Sequence, residues 1–126
     1  MALAHEPFEF RLTSAELTPG AFVVTISGEL DLTNARRIDE ELASLSEDSA
    51  QHLVIDLLEV PFLESTVLGV VLSHAQRLRA NGGDMTIVTD DVRVLRVFEI
   101  TGLESHFRFE RSLSSAIENI LTAAVN

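Results

Sequence analysis

The chain contains no cysteine and no lysine. Without thiols it has no disulfides, no thiolate nucleophile and no cysteine-based zinc or iron–sulfur site. Nine arginines face twenty acids, for a formal net charge of −11. That balance argues against direct nucleic-acid binding and against anionic membranes, because phosphate attraction needs clustered basic side chains. Long apolar runs are missing too. The longest, Val67 to Leu72, is six residues and far too short to cross a bilayer. The first ten residues hold no arginine and two acids, Glu6 and Glu9, the reverse of a secretory leader. These features predict a soluble, cytoplasmic protein.

Enzyme signatures are equally scarce. There is no GxxxxGK[ST] phosphate loop, no GxGxxG, no GxSxG elbow and no HExxH. His5, His52, His74 and His106 stand at unrelated spacings and read as scattered surface or edge residues, with no metal site. Twenty acids allow a carboxylate pair such as Asp31 with Glu64, but solvated acidic surface is the default for such a composition. No catalytic residue, metal or cofactor is expected, and the chain is read as a non-enzyme.

What the chain does contain is enough for one ordinary domain, with a core spanning about residues 8–124. It has 126 residues, 46% of them hydrophobic and 23% charged. A chain of this size buries roughly two-thirds of its unfolded surface on folding. Phe8, Phe10 and Leu12 alternate with polar residues as a half-buried strand. Thr18-Pro19-Gly20 then makes a turn into a β-branched strand over 21–27.

After Gly28-Glu29-Leu30-Asp31 the apolar period lengthens, and Ala35, Ile38, Leu42 and Leu45 share one helical face. A strand over 53–57 ends before Pro61. A helix from Ser65 to about Ala80 carries Leu68, Val71, Leu72, Ala75 and Leu78 inward and stops at Asn81-Gly82-Gly83. Residues 85–89 form the next strand. Asp90 or Asp91 then caps a short helix with Val92, Leu95 and Phe98 inward, stopped near Gly102. Phe107 and Phe109 alternate in a final strand, and Ser112 caps a last helix using Leu113, Ile117, Ile120 and Leu121. The order β–β–α–β–α–β–α–β–α predicts an α/β fold: a mixed, mainly parallel sheet, one antiparallel N-terminal strand and about four packed helices.

One segment points beyond packing. Residues 53–72 read LVIDLLEVPFLESTVLGVVL, in which a buried strand passes through a proline loop to Glu64-Ser65-Thr66. The plain interpretation makes Ser65 the N-cap of the helix. The functional one uses the same place differently. Free N–H groups and the positive end of the helix dipole accommodate a phosphate on Ser65 without unfolding the helix.

The stretches GELDLTNARRIDEEL (28–42) and LVIDLLEVPFLESTVLGVVL (53–72) resemble the bacterial anti-sigma-factor antagonists, small single-domain members of the STAS family. The matching positions are Gly28-Glu29-Leu30-Asp31, Asp56-Leu57, Val60, Phe62-Leu63, Ser65-Thr66, Leu68-Gly69 and Gly82-Gly83. Thr101-Gly102-Leu103 and the Phe107–Ile120 segment match the family's end, so the likeness runs nearly the whole chain in order.

The resemblance implies a binding module that engages an anti-sigma factor, often a serine kinase, and so releases a sigma factor. The kinase turns the module off by phosphorylation, and a phosphatase reverses it. By position the phosphoacceptor is Ser65, with Thr66 as neighbour, and the partner-binding set is Asp31, Glu64, Ser65, Thr66 and Val67. Asp31 matches the acid of the family's first loop, beside the phosphosite; its other reading is a cap before a helix from about Thr33. Glu64 stands where the family usually has Asp, and Val67 where it usually has Gly. Val67 is expected to add a β-branched side chain where a kinase must approach. The alternative is a STAS scaffold in a stress-signalling assembly or lipid-transport ATPase, without a phosphoswitch.

A magnitude constrains any such switch. Phosphorylation adds about −1.5 to −2 charges. One charge pair at ~4 Å is worth about 1 kcal/mol in water and about 4 kcal/mol at an effective dielectric near 20. A working switch therefore places Ser65 inside the partner interface and not merely on an acidic surface.

Overall fold

The computed structural model describes residues 9–125. The elements are β1 (Arg11–Thr18), β2 (Ala21–Ser27), α1 (Leu32–Glu47), β3 (His52–Glu59), α2 (Ser65–Ala80), β4 (Asp84–Val88), α3 (Val92–Ile100), β5 (Arg108–Glu110) and α4 (Leu113–Val125). A single 3-10 turn, Glu104–His106, precedes β5. The strands form one sheet in the order β1-β2-β3-β4-β5. β1 pairs antiparallel with β2, and β2, β3, β4 and β5 are parallel to one another. The expected α/β class, the antiparallel first strand and the four helices are all present.

Because each crossover advances the sheet by one strand in the same direction, right-handed connections put their helices on one face. That face holds the main core. Phe22, Val24 and Ile26 of β2, Leu53, Ile55 and Leu57 of β3, and Met85 and Ile87 of β4 meet the apolar stripes of α1, α2 and α3. α4 covers the other face, where Ala116 joins Val54 and Val88, flanked by Val23, Leu113 and Ile120. β3 is thus buried on both sides over residues 53–57, which is why it reads as an apolar run broken only by Asp56.

Several local expectations need correction. Val92 does not face inward: it opens α3 directly after the Asp91 cap and is 71% exposed. The inward pair is Val94 and Phe98, one turn apart, with Leu95 only half-buried. Phe98 is then clasped edge-to-face by Phe107 and Phe109, at centroid distances of 5.1 and 5.3 Å. Leu121 of α4 is also exposed; Ala116 takes the buried position, spaced i, i+3, i+7 with Leu113 and Ile120. β4 spans Asp84–Val88, one residue earlier than expected, and β5 is three residues long with Phe107 just ahead of it. Phe8 lies outside the described residues, while Phe10 packs partly buried on the core. Ser112 caps α4 as expected, its Oγ accepting from the Ser115 N–H at 3.1 Å.

His74 is not a surface residue. It is 2% exposed on the inner face of α2, and its Nε2 lies 2.7 Å from Asp39 Oδ1 of α1. That contact ties the two helices and satisfies one ring nitrogen; Nδ1 is buried without a partner among the described residues.

The Gly82-Gly83 turn matters for closure of the sheet. A Cβ on Gly83 would stand 2.0 Å from the Gln51 carbonyl oxygen, the same oxygen that accepts from Asp84 N–H at 3.0 Å. Gly69, exposed in α2, has open space around its Cβ position. Gly83→Ala is therefore expected to destabilise the fold by about 1–3 kcal/mol through overpacking. Gly69→Ala is expected to stabilise it by about 0.5–1 kcal/mol through helix propensity. Thermal denaturation of the two variants distinguishes the signs.

Candidate functional site

The site begins where β2 and β3 stop. Gly28, at φ 101°, turns the chain out of β2, and its N–H donates to the Glu59 carbonyl at 3.1 Å. Beyond the regular sheet the two strand extensions stay side by side. Leu30 N–H donates to Phe62 O at 2.9 Å, Glu64 N–H donates to Leu30 O at 2.9 Å, and Leu30 and Leu63 form an isolated parallel bridge. Both leucines are buried, so side-chain packing and backbone pairing hold the same register. Asp31 and Glu64, the residues that follow this bridge, are the N-caps of α1 and α2. Two helix starts emerge next to each other.

The caps differ in kind. Asp31 forms a full capping box. Its carboxylate accepts from Thr33 N–H at 2.9 Å and from the Thr33 hydroxyl at 2.6 Å, while its own N–H donates to Asn34 Oδ1 at 3.0 Å. The Thr33 hydroxyl, then the Thr33 N–H, hold the Asp31 carboxyl below its ordinary pKa. The cap interpretation of Asp31 is therefore realised, with α1 starting at Leu32, one residue before the expected Thr33.

α2 has no equivalent cap. Its N-cap is Glu64 and not Ser65; Glu64 is extended and makes no side-chain cap bond. Ser65 is the first helical residue instead, because Glu64 N–H is already drawn to Leu30 and its carbonyl accepts from Val67 and Leu68. Ser65 and Thr66 are exposed in this first turn. The Thr66 hydroxyl is engaged with Glu64 Oε1 at 3.3 Å. The N–H groups of Ser65 and Thr66 thus have no acceptor among the described residues.

Val67 turns away from this surface. Its side chain is 0% exposed and belongs to the main core, so it neither lines the exposed helix start nor obstructs approach to Ser65. The expected crowding by a β-branched residue does not occur. The helix period sends position 67 inward with Val71 and Leu78.

Apolar surface that no sequence motif marks lies beside the helix starts. Phe62 is 48% exposed and Leu32 67%. Phe62, Pro61 and Val97 line a groove of about 450 Å3 bordered by Glu29 and Arg93. Arg93 is fixed there by Asp91, whose Oδ2 accepts from Nη2 at 2.6 Å, and this neighbour lowers the Asp91 pKa to about 2. The available signal was the alternation in Phe62-Leu63: the residue at the bridge is buried, so its neighbour points out.

An α/β domain with an N-terminal hairpin, a sequential mixed sheet and paired helix starts at its upper edge defines the class. The pattern of the STAS domain family matches residues 13–116, and the chain belongs to that family. Among curated relatives, the anti-sigma-B factor antagonist of Bacillus subtilis (strain 168) is 36% identical over 81 residues, 64% of this chain and 73% of its own length. That of Staphylococcus aureus (strain NCTC 8325 / PS 47) is 30% identical over 83 residues, 66% and 77% of the two chains. An anti-sigma factor antagonist from Mycobacterium paratuberculosis superposes with a TM-score of 0.80 at 27% identity, covering 98% of this chain and all of the other.

The capping geometry has a pH consequence. Asp31 is depressed in the folded state, so its contribution is present above the unfolded carboxyl value near 3.8 and is lost as pH falls through the folded value. Asp31→Ala is expected to lower the melting temperature at neutral pH and to flatten the stability loss below pH 4. Asp31→Asn is expected to keep most of the neutral-pH stability, because the amide oxygen still accepts from Thr33 N–H. Thermal melts across pH 2–7 check both.

Proposed function

We propose that this chain is an anti-sigma-factor antagonist that works by binding and not by catalysis. It engages a serine-kinase-type anti-sigma factor through the paired starts of α1 and α2, which releases a sigma factor. Phosphorylation of Ser65 turns it off, and a phosphatase restores it. The observation that carries this reading is the exposed Ser65 in the first turn of α2, behind a cap residue with no side-chain cap bond. A phosphate there meets unpaired N–H groups and the positive end of a 16-residue helix, so modification leaves the fold intact. The relatives named anti-sigma-B factor antagonists support the partner class.

Charge and apolar area divide the work. Phe62 and the Pro61–Val97 groove, on the loop that leads to Ser65, provide apolar surface that a partner would desolvate, which is where binding energy concentrates in protein interfaces. Burying Ser65 under the partner's rim lowers the effective dielectric there. Against a partner carboxylate ~4 Å away, the added phosphate charge then opposes binding by about 4 kcal/mol. Asp31 shapes the surface mainly as a cap, since its carboxylate is already held by Thr33. Glu64 and Thr66 border the serine, and Thr66 is the less available hydroxyl because it donates to Glu64.

Titration calorimetry with the cognate anti-sigma factor tests the reading. Ser65→Asp is expected to bind several hundredfold more weakly than wild type, the change that ~4 kcal/mol implies. Ser65→Ala is expected to bind normally yet take up no phosphate by mass spectrometry. Equal binding by wild type and Ser65→Asp refutes the switch.

A further inference from the structure

The end of the sheet opposite Ser65 carries a charge balance unlike that of the chain. A pocket of about 360 Å3 lies where β4 and β5 begin and α2 ends, lined by Arg79, Gly83, Asp84, Ser105, His106 and Arg108. Asp84 is its one carboxylate among the described residues, in a chain with twenty acids. That carboxylate is already engaged on both oxygens. Oδ1 lies 2.9 Å from His52 Nδ1, and Oδ2 is ion-paired with Arg108, 3.0 Å from its Nε.

The donors are less occupied. Arg79 gives Nη1 to the Ser105 carbonyl at 2.8 Å, a neutral acceptor, which orients the guanidinium without neutralising it. The Arg108 ion pair with Asp84 is made at Nε, and among the described residues its two terminal amino groups have no acceptor. The negative end of α2 does not reach the pocket bare, because the Leu78 and Arg79 carbonyls accept from the N–H groups of Asn81, Gly82 and Gly83. Two arginines, a serine and a histidine therefore line a space whose one carboxylate is already paired.

We propose that this pocket binds a phosphate dianion, either free or carried as a monoester. Donors on several sides suit the three terminal oxygens of a dianion better than the two of a carboxylate, and arginine forks match phosphate geometry. The arginines are largely solvated, so binding is weak and salt-sensitive, with a dissociation constant in the millimolar range. The site lies at the far end of α2, ~24 Å along a 16-residue helix from Ser65, so it stands apart from the phosphoswitch.

Two-dimensional NMR of the 15N-labelled full chain tests this. Inorganic phosphate and O-phosphoserine are titrated in turn, each against sodium chloride at matched ionic strength. Saturable shifts at Gly82–Asp84 and Ser105–Arg108 are expected. They are expected to weaken at least tenfold in Arg79→Gln, which leaves the Arg108–Asp84 pair in place, and to persist in Ser65→Ala. Circular dichroism confirms that the variant is folded. Tighter binding of O-phosphoserine assigns the pocket to phosphorylated protein segments, and equal binding assigns it to free phosphate. Shifts that grow linearly and match the chloride control overturn the proposal, as does unchanged binding in Arg79→Gln.

Discussion

The functional end of this molecule depends on one backbone pairing outside its regular sheet. Leu30 exchanges hydrogen bonds with Phe62 and Glu64, and its side chain and that of Leu63 are sealed in the core. Backbone groups buried at such a place must be paired, so the two loop segments cannot drift apart without leaving polar groups unsatisfied. Because each segment passes directly into a helix, the bridge sets both the spacing and the orientation of two helix starts. A loop that carries function is here held nearly as firmly as a strand.

The two starts have different duties. α1 is closed by a reciprocal cap, and its carboxylate serves the helix it begins. α2 is left open at its first turn, and its stability comes instead from a deeply buried face: Val67, Leu68, Val71, Ala75 and Leu78, with His74 joined to Asp39. A helix anchored through its side chains can spare its terminal N–H groups for an incoming charge. Missing local satisfaction at Glu64 is thereby compensated elsewhere, as is common where structure and function compete.

Much of this architecture is readable from the residues. Alternation marks β2, the apolar run marks the doubly covered β3, and 3.6-residue spacing marks α1 and α2. The errors share a cause. Periodicity says which residues share a face, but not where the first turn sits relative to the core. Hence Val92 was expected inside and Val94 is, and Leu121 was expected inside where Ala116 closes the contact. At the site, Ser65 and Asp31 can be picked out by residue type, but the identity of the cap depends on a tertiary hydrogen bond from Glu64 to Leu30. Burial of His74 was equally hidden, since only the approach of Asp39 from another helix makes it tolerable. The apolar groove around Phe62 needs three separated segments, β2's extension, the Pro61 loop and α3, and no local pattern contains it.

The strand order β1-β2-β3-β4-β5 has a consequence for how the chain is made. Each strand's partner is the one synthesised just before it. No early strand must wait beside an open gap for a late one, and the hairpin of β1 and β2 provides an edge on which each further unit can be added. Assembly can keep pace with the ribosome from the N-terminus onward. The last additions, β5 and α4, cover what remains of the sheet's far edge and second face. Until they arrive, the apolar positions Val54 and Val88 stay uncovered, so the β5–α4 segment, Arg108–Val125, acts on the nascent chain as its protection against self-association.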